Sequence, residues 1–202
     1  MKLKSPLLLL SLLLLLIAVF TALGPAEATL GTNARVVYLH GAWVWAALAA
    51  FILAGAVGLA AFVKKLAGQG DRSYHQWSRS LGRTGIFLWI TYLPISLWAM
   101  QTNWNGLFLA EPRWRVAVIF AISGLLLQLG LSFLPVPWAS VWNFIYVATL
   151  FGVLKSTEQV MHPPSPMLES TAWRIQVFYG GLVLLLLLAA WQIARGFNSL
   201  ER

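Results

Sequence analysis

Long apolar runs separated by short polar stretches dominate this sequence. Six of the runs have about the length of a membrane helix, since a bilayer core about 30 Å thick takes roughly 20 helical residues to cross. The pattern therefore predicts an all-α fold, in which residues 1–202 form a single integral membrane domain. We expect a six-helix transmembrane bundle with helices at about 6–23, 36–63, 84–100, 114–133, 138–154 and 173–194.

The first apolar run, 6–23, also has features of a secretory signal. It follows Lys2 and Lys4 and precedes an Ala-Glu-Ala sequence at 26–28, where a signal peptidase would cut. Cleavage would remove residues 1–28, whereas retention would leave a first transmembrane helix. We expect retention, because the run is longer than the apolar core of most signals.

The longest polar connection, "KKLAGQGDRSYHQWSRSLGR" at 64–83, is predicted to be a soluble loop. His75 lies in it among serine, tyrosine and glutamine and is expected to be solvated. Small residues at Ala50, Ala54 and Gly58 recur every four positions in the second helix. This spacing predicts that a neighbouring backbone approaches closely along that face.

Composition supports a membrane protein and excludes several functions. The chain is 59% hydrophobic and 10% charged, with a mean hydropathy of +0.76, which is too apolar for a soluble domain. Its formal charge of +8 does not indicate nucleic-acid binding, because the basic residues stand singly or in pairs between apolar runs. The absence of cysteine excludes disulfides, thiolate metal sites and covalent haem attachment through cysteine.

The distribution of basic residues predicts the orientation. If the N-terminus is cytoplasmic, nine of the fourteen lysines and arginines lie on the cytoplasmic side, as the positive-inside rule requires. We therefore expect both termini to be inside, in the inner or plasma membrane of a bacterium or organelle. This topology places His40 and His162 together at the outer face.

Two histidines on one membrane face suggest a metal-ligand pair. Neutral imidazole is a common iron ligand, and His40 and His162 facing each other would give the bis-histidine ligation of a non-covalent haem b. Either histidine alone has a plainer alternative, a hydrogen bond to lipid headgroups or to loop carbonyls. Histidine also ligates magnesium, so a chlorophyll-type macrocycle stays open.

Aromatic and basic residues surround both histidines in sequence. Trp43, three positions after His40, lies on the same side of a helix and is placed to stack on a flat macrocycle. The outer connection 101–115 contains Trp104 and Phe108, which are candidates to cover the ring, and Arg113, a candidate to pair with a haem propionate. An interfacial aromatic belt and arginines beside lipid phosphates are the alternatives.

These segments resemble the haem-handling proteins of cytochrome c maturation, specifically the six-helix CcmC type, which is related to CcsA. The stretch "VVYLHGAWVW" at 36–45 is similar to the Tyr-x-His-x-Pro-Ala-Ala-Trp-like opening of that family's second helix, and His162 matches its histidine between helices five and six. "WNGLFLAEPR" at 104–113 fits the frame WGxxWxWDxR. In that frame Trp104 and Arg113 are kept, while Phe108, Ala110 and Glu111 replace two tryptophans and the aspartate.

The resemblance implies a protein that binds haem b at the outer face and presents it to a partner, either a haem chaperone or another membrane subunit. It also implies that Glu111 belongs to the site. No bond of a substrate is broken in this role, so we do not expect an enzyme. A bis-histidine electron-transfer subunit of a respiratory or photosynthetic complex is the second hypothesis. A structural subunit that has lost haem binding is the third.

Overall fold

A computed structural model describes residues 6–158 and 167–201, and in this part of the chain all regular structure is helical. An isolated bridge between Glu27 and Gly31 closes the connection after the first helix. The predicted all-α fold class is thus confirmed. The helices are α1 (Pro6–Ala22), α2 (Ala34–Leu66), α3 (Arg72–Trp104), α4 (Pro112–Leu131), α5 (Val136–Ser156) and α6 (Trp173–Leu200).

The two longest helices, α2 and α3, have 33 residues each and form the centre of the bundle. They pack most extensively against each other, and α5 and α6 each contact both of them. Helix α4 packs on α3 and α5, and α1 packs mainly on α6. The side chains of α2 and α3 are therefore the ones best enclosed by the fold.

Helix α3 begins twelve residues earlier than the apolar pattern predicts. Asp71 caps it, because its carboxylate accepts a hydrogen bond of 2.8 Å from the backbone N–H of Ser73. The stretch 64–83, predicted as a soluble loop, is therefore helical up to Leu66 and again from Arg72. The prediction was wrong because His75, Ser78 and Arg79 are buried against neighbouring helices rather than exposed to water.

The outer surface of the bundle is apolar. Within the described residues, α2, α4, α6 and residues Pro137–Ser156 of α5 are long and apolar enough to cross a membrane, and α1 is a shorter apolar helix. Large side chains such as Leu126 and Leu184 are exposed on this surface, where lipid tails suit them better than water does. The fold is compatible with a membrane-embedded protein.

The close approach predicted along the small-residue face of α2 is confirmed. Ser78 Oγ of α3 donates a hydrogen bond of 2.8 Å to the carbonyl oxygen of Ala54. A Cβ added at Gly58 would lie 2.6 Å from the carbonyl oxygen of Ser140, on α5. Only a glycine allows the backbones of α2 and α5 to approach this closely beside the Ser78 side chain.

The bundle has two ends, which we name after the histidine found at each. The His40 end contains the first turns of α2, α4 and α6 and the last turns of α1, α3 and α5. The His75 end contains the first turns of α3 and α5 and the last turns of α2, α4 and α6. All five candidate cofactor residues and His40 belong to the first of these ends.

Candidate functional site

Three connections of the chain gather at the His40 end. Asn33 Nδ2, just before α2, donates a hydrogen bond of 3.1 Å to the carbonyl oxygen of Thr102 near the end of α3. Arg113 Nη2, in the first turn of α4, lies 3.5 Å from the carbonyl oxygen of Leu154 near the end of α5. These contacts bring the segments that hold His40, Trp104 and Arg113 to one end of the bundle.

His40 is half-buried in the second turn of α2. Its ring centroid lies 5.6 Å from that of Tyr92 on α3, with the planes tilted by 49°. Tyr92 is itself buried and makes an edge-on contact with Trp89, at 5.1 Å between centroids. Aromatic side chains of α3 thus support the His40 imidazole from the inside of the bundle.

His162, the second predicted iron ligand, lies outside the described residues. The next residue that the structure describes is Met167, whose side chain is buried, with 7% of the residue exposed. A Cβ added at Gly41 would lie 3.5 Å from Met167 Cε and 2.9 Å from Tyr179 Oη on α6. The chain therefore returns to the residue next to His40 five positions after His162.

Trp43 has a packing role that the sequence did not predict. Its indole Nε1 donates a hydrogen bond of 3.0 Å to Thr91 Oγ1 on α3, and its half-buried ring packs against the main hydrophobic core. The residue therefore ties α2 to α3 one turn away from His40.

The connection between α3 and α4 presents aromatic side chains at the same end. Helix α3 ends at Trp104, and Asn105 turns the chain with a left-handed backbone conformation at φ 53°. Trp104 is half-buried, whereas Phe108 is 41% exposed. An exposed phenylalanine on a connection can move onto a flat apolar ligand without disturbing the core.

Glu111 caps helix α4. Its carboxylate accepts a hydrogen bond of 2.6 Å from the backbone N–H of Trp114, which satisfies one of the free donors of the first turn. The cap fixes the turn that contains Arg113, whose side chain is half-buried. Glu111 therefore has a structural role, because its cap holds the helix turn that positions Arg113.

Within the described residues, His40 is the one histidine at this end of the bundle. Among residues 6–158 and 167–201, no group of three or more histidine and carboxylate side chains is arranged to hold a metal. A bare transition ion needs about four such ligands. Haem brings four ring nitrogens of its own and asks the protein only for axial ligands, which is a role that His40 can fill.

The opposite end contains a buried polar network that the sequence analysis missed. His75, predicted to be solvated, is 4% exposed, and its Nδ1 lies 2.7 Å from Ser140 Oγ on α5. Asn143 Nδ2 donates to the carbonyl oxygen of Ser78 at 3.0 Å, and Gln128 Nε2 donates to Asn143 Oδ1 at 2.8 Å. The signal in the sequence is the position of Gln128 and Asn143 within otherwise apolar runs.

Burial lowers the pKa of His75 below its ordinary value, and the positive charge of Lys65 adds to this effect. Nearby, the carboxylate of Glu201 pairs with Arg79 at 3.4 Å and also with Arg83, which fixes the end of α6 to α3. The His75 end is therefore tied by polar and ionic contacts between helices.

No family model, no curated protein and no solved structure matches this chain.

Proposed function

We propose that this chain is a haem-handling membrane protein that holds haem b non-covalently at its His40 end and passes it to a partner. The observation that carries the proposal is the position of His40. A half-buried imidazole, supported by the Tyr92 ring, lies at the end of the bundle that also contains Trp104 and Arg113. An ionisable group enclosed by apolar helices is costly, and such groups usually serve a function.

Each candidate residue has a distinct role in this proposal. His40 and His162 would ligate the haem iron, and Arg113 would pair with a propionate, for which a guanidinium is suited. Trp43, Trp104 and Phe108 provide apolar surface to the macrocycle, while Glu111 holds the helix turn that positions Arg113. Bound haem would supply an iron whose axial ligands can be exchanged, and the protein breaks no bond in a substrate.

The proposed function includes a topology. Six helices cross the membrane, both termini are cytoplasmic, and the His40 end faces the outer side of a bacterial or organellar inner membrane. Nine of the fourteen lysines and arginines belong to the cytoplasmic side in this topology, and this excess supports the orientation. The partner is then a haem chaperone or a membrane subunit that meets the bundle from outside.

Absorption spectroscopy of the purified protein tests the proposal. After expression with ample haem, the wild type should show a Soret band that His40→Ala and His162→Ala each weaken or shift, because each removes an axial ligand. Arg115→Ala is a matched control to Arg113→Ala, since Arg115 is exposed on the same turn of α4. A wild type without a Soret band under these conditions would exclude haem binding, and with it the proposal.

Haem retention separates the proposal from an electron-transfer subunit with the same ligands. A handling protein should retain less than one haem per chain through detergent washes and should lose it to an added apo-protein acceptor. An electron carrier should keep one haem per chain and titrate reversibly in a redox experiment. A structural subunit should show no haem in either experiment.

A further inference from the structure

The His75 end contains a cleft between the end of α2 and the first turns of α3 and α5. It has a volume of about 380 Å³ and is lined by Lys65, Gly70, Asp71, Arg72, His75 and Pro137. None of these residues has a role in the proposed haem site, which lies at the other end of the bundle. The cleft is open to the surroundings, so that a ligand can enter from outside the bundle.

The charges that line the cleft are predominantly positive. Lys65 and Arg72 are exposed, and the ion pairs formed within the described residues involve only Arg79, Arg83 and Glu201. The single carboxylate of the cleft, Asp71, already accepts a hydrogen bond of 2.8 Å from the Ser73 N–H. Two exposed cations therefore line the cleft, and its one carboxylate already caps α3.

His75 adds an imidazole ring to this lining. Its Nδ1 lies 2.7 Å from Ser140 Oγ, a buried hydroxyl on α5. This contact holds the ring in place, whichever of the two groups donates the hydrogen. The part of His75 that lines the cleft is therefore fixed against α5.

The cleft also lies at the depth expected for lipid headgroups. Pro137, which lines it, is followed by Trp138 near the start of α5, and both Trp138 and Phe133 are exposed. Phe133, on the turn before α5, is 88% exposed. Exposed aromatic residues at helix ends mark the interface of a bilayer, where phosphodiester groups are the abundant anions.

We propose that this cleft binds a phosphate group through the side chains of Lys65 and Arg72, beside the His75 ring. Guanidinium and ammonium groups are the usual protein partners of phosphate. The group can belong to an anionic phospholipid headgroup or to free phosphate, and both present the same oxygens to the cleft. The inference does not depend on haem binding, and its failure would leave the proposed function untouched.

Native mass spectrometry of the full-length protein in detergent tests the inference with three probes: phosphatidylglycerol, phosphatidylcholine and inorganic phosphate. The double variant Lys65→Gln/Arg72→Gln should bind phosphatidylglycerol about tenfold more weakly than the wild type, since two exposed charge contacts are lost. The matched control Lys155→Gln/Arg174→Gln removes two exposed basic residues from the opposite end. The control should bind within about twofold of the wild type.

A gain-of-affinity variant guards against loss through misfolding. Asp71→Asn keeps a good helix cap and removes the negative charge of the cleft, so phosphatidylglycerol should bind roughly two- to fivefold more tightly. Inorganic phosphate that displaces the lipid identifies the phosphate group itself as the ligand, and a lipid that resists displacement identifies a headgroup with its chains. Equal binding by the wild type and the Lys65/Arg72 variant, equal loss in the control, or no binding by the wild type would overturn the inference.

Discussion

The two ends of the bundle are held together by different forces. At the His75 end, side chains of three helices bond directly to one another, as in the contacts of Asn143 with Ser78 and Gln128. At the His40 end, ring contacts such as His40 with Tyr92 stand beside separate hydrogen bonds such as Trp43 with Thr91. Polar groups that satisfy each other inside the bundle fix its register, whereas aromatic surfaces can also receive a flat ligand.

This difference separates stability from function along the same helices. Helices α2 and α3 run through both ends, so a change at either end acts on the same two elements. We expect substitutions at the His75 end to alter the free energy of unfolding, and substitutions at the His40 end to alter ligand binding. The following predictions test that division, beginning with the largest expected effect.

Gly58→Val should destabilise the bundle most. The new side chain would meet the Ser140 carbonyl oxygen, since a Cβ alone would lie 2.6 Å from it, and overpacking of this kind costs about 3 kcal/mol. Denaturant unfolding in detergent measures the loss. The control Gly152→Ala adds a Cβ with no heavy atom within 4 Å and should change stability by less than about 1 kcal/mol. A similar loss in both variants would contradict the close approach of α2 and α5.

Asn143→Leu should cost about 2 kcal/mol, because it leaves the Gln128 amide and the Ser78 carbonyl buried without this partner. Thr149→Val is the matched control on α5, as Thr149 is exposed and its hydroxyl bonds only within its own helix. Unfolding of the two variants under the same conditions measures the contribution of the network. An unchanged midpoint for Asn143→Leu would show that the polar network does not stabilise the fold.

Stability should fall as the solution is acidified. The pKa of His75 is lower in the folded protein than its ordinary value of 6.5, chiefly because the ring is buried. The unfolded chain therefore binds the proton more readily, and stability is complete above pH 6.5 and is lost as pH falls through the folded pKa. Unfolding measured between pH 8 and pH 5 should show this loss, and His75→Gln should remove most of it. An equal slope in the variant would assign the effect to other groups.

His40→Ala should have the smallest effect on stability of the four changes. The imidazole is half-buried at the end of the bundle, and a tilted ring contact such as the one with Tyr92 is worth about 1 kcal/mol or less. The same unfolding experiment, performed without added haem, checks this expectation. If His40→Ala lowered the free energy of unfolding as much as Asn143→Leu, His40 would be a structural residue, and the two ends would not differ in role.

Apolar run length was enough to predict the fold class and the approximate helices, because a run of about 20 apolar residues has few other uses. It could not predict the start of α3, since polar residues such as His75 and Ser78 face other helices there, and hydropathy does not distinguish a polar residue in water from one in a network. The order of the helices was enough to predict that His40 and the connection with Arg113 lie at the same end of the bundle. The cap formed by Glu111 and the Trp43–Thr91 bond depend on side-chain geometry, which spacing alone does not fix.

Paired spectra of His40→Ala and His75→Ala test whether the His40 end binds haem while the His75 end stabilises the bundle. Both variants remove one buried or half-buried imidazole from the same bundle, one at each end. We predict that His40→Ala loses or shifts the Soret band with little change in unfolding. We predict that His75→Ala keeps the wild-type spectrum and unfolds more easily. A Soret band that survives His40→Ala unchanged, or one that disappears in His75→Ala while the protein stays folded, would contradict these predictions.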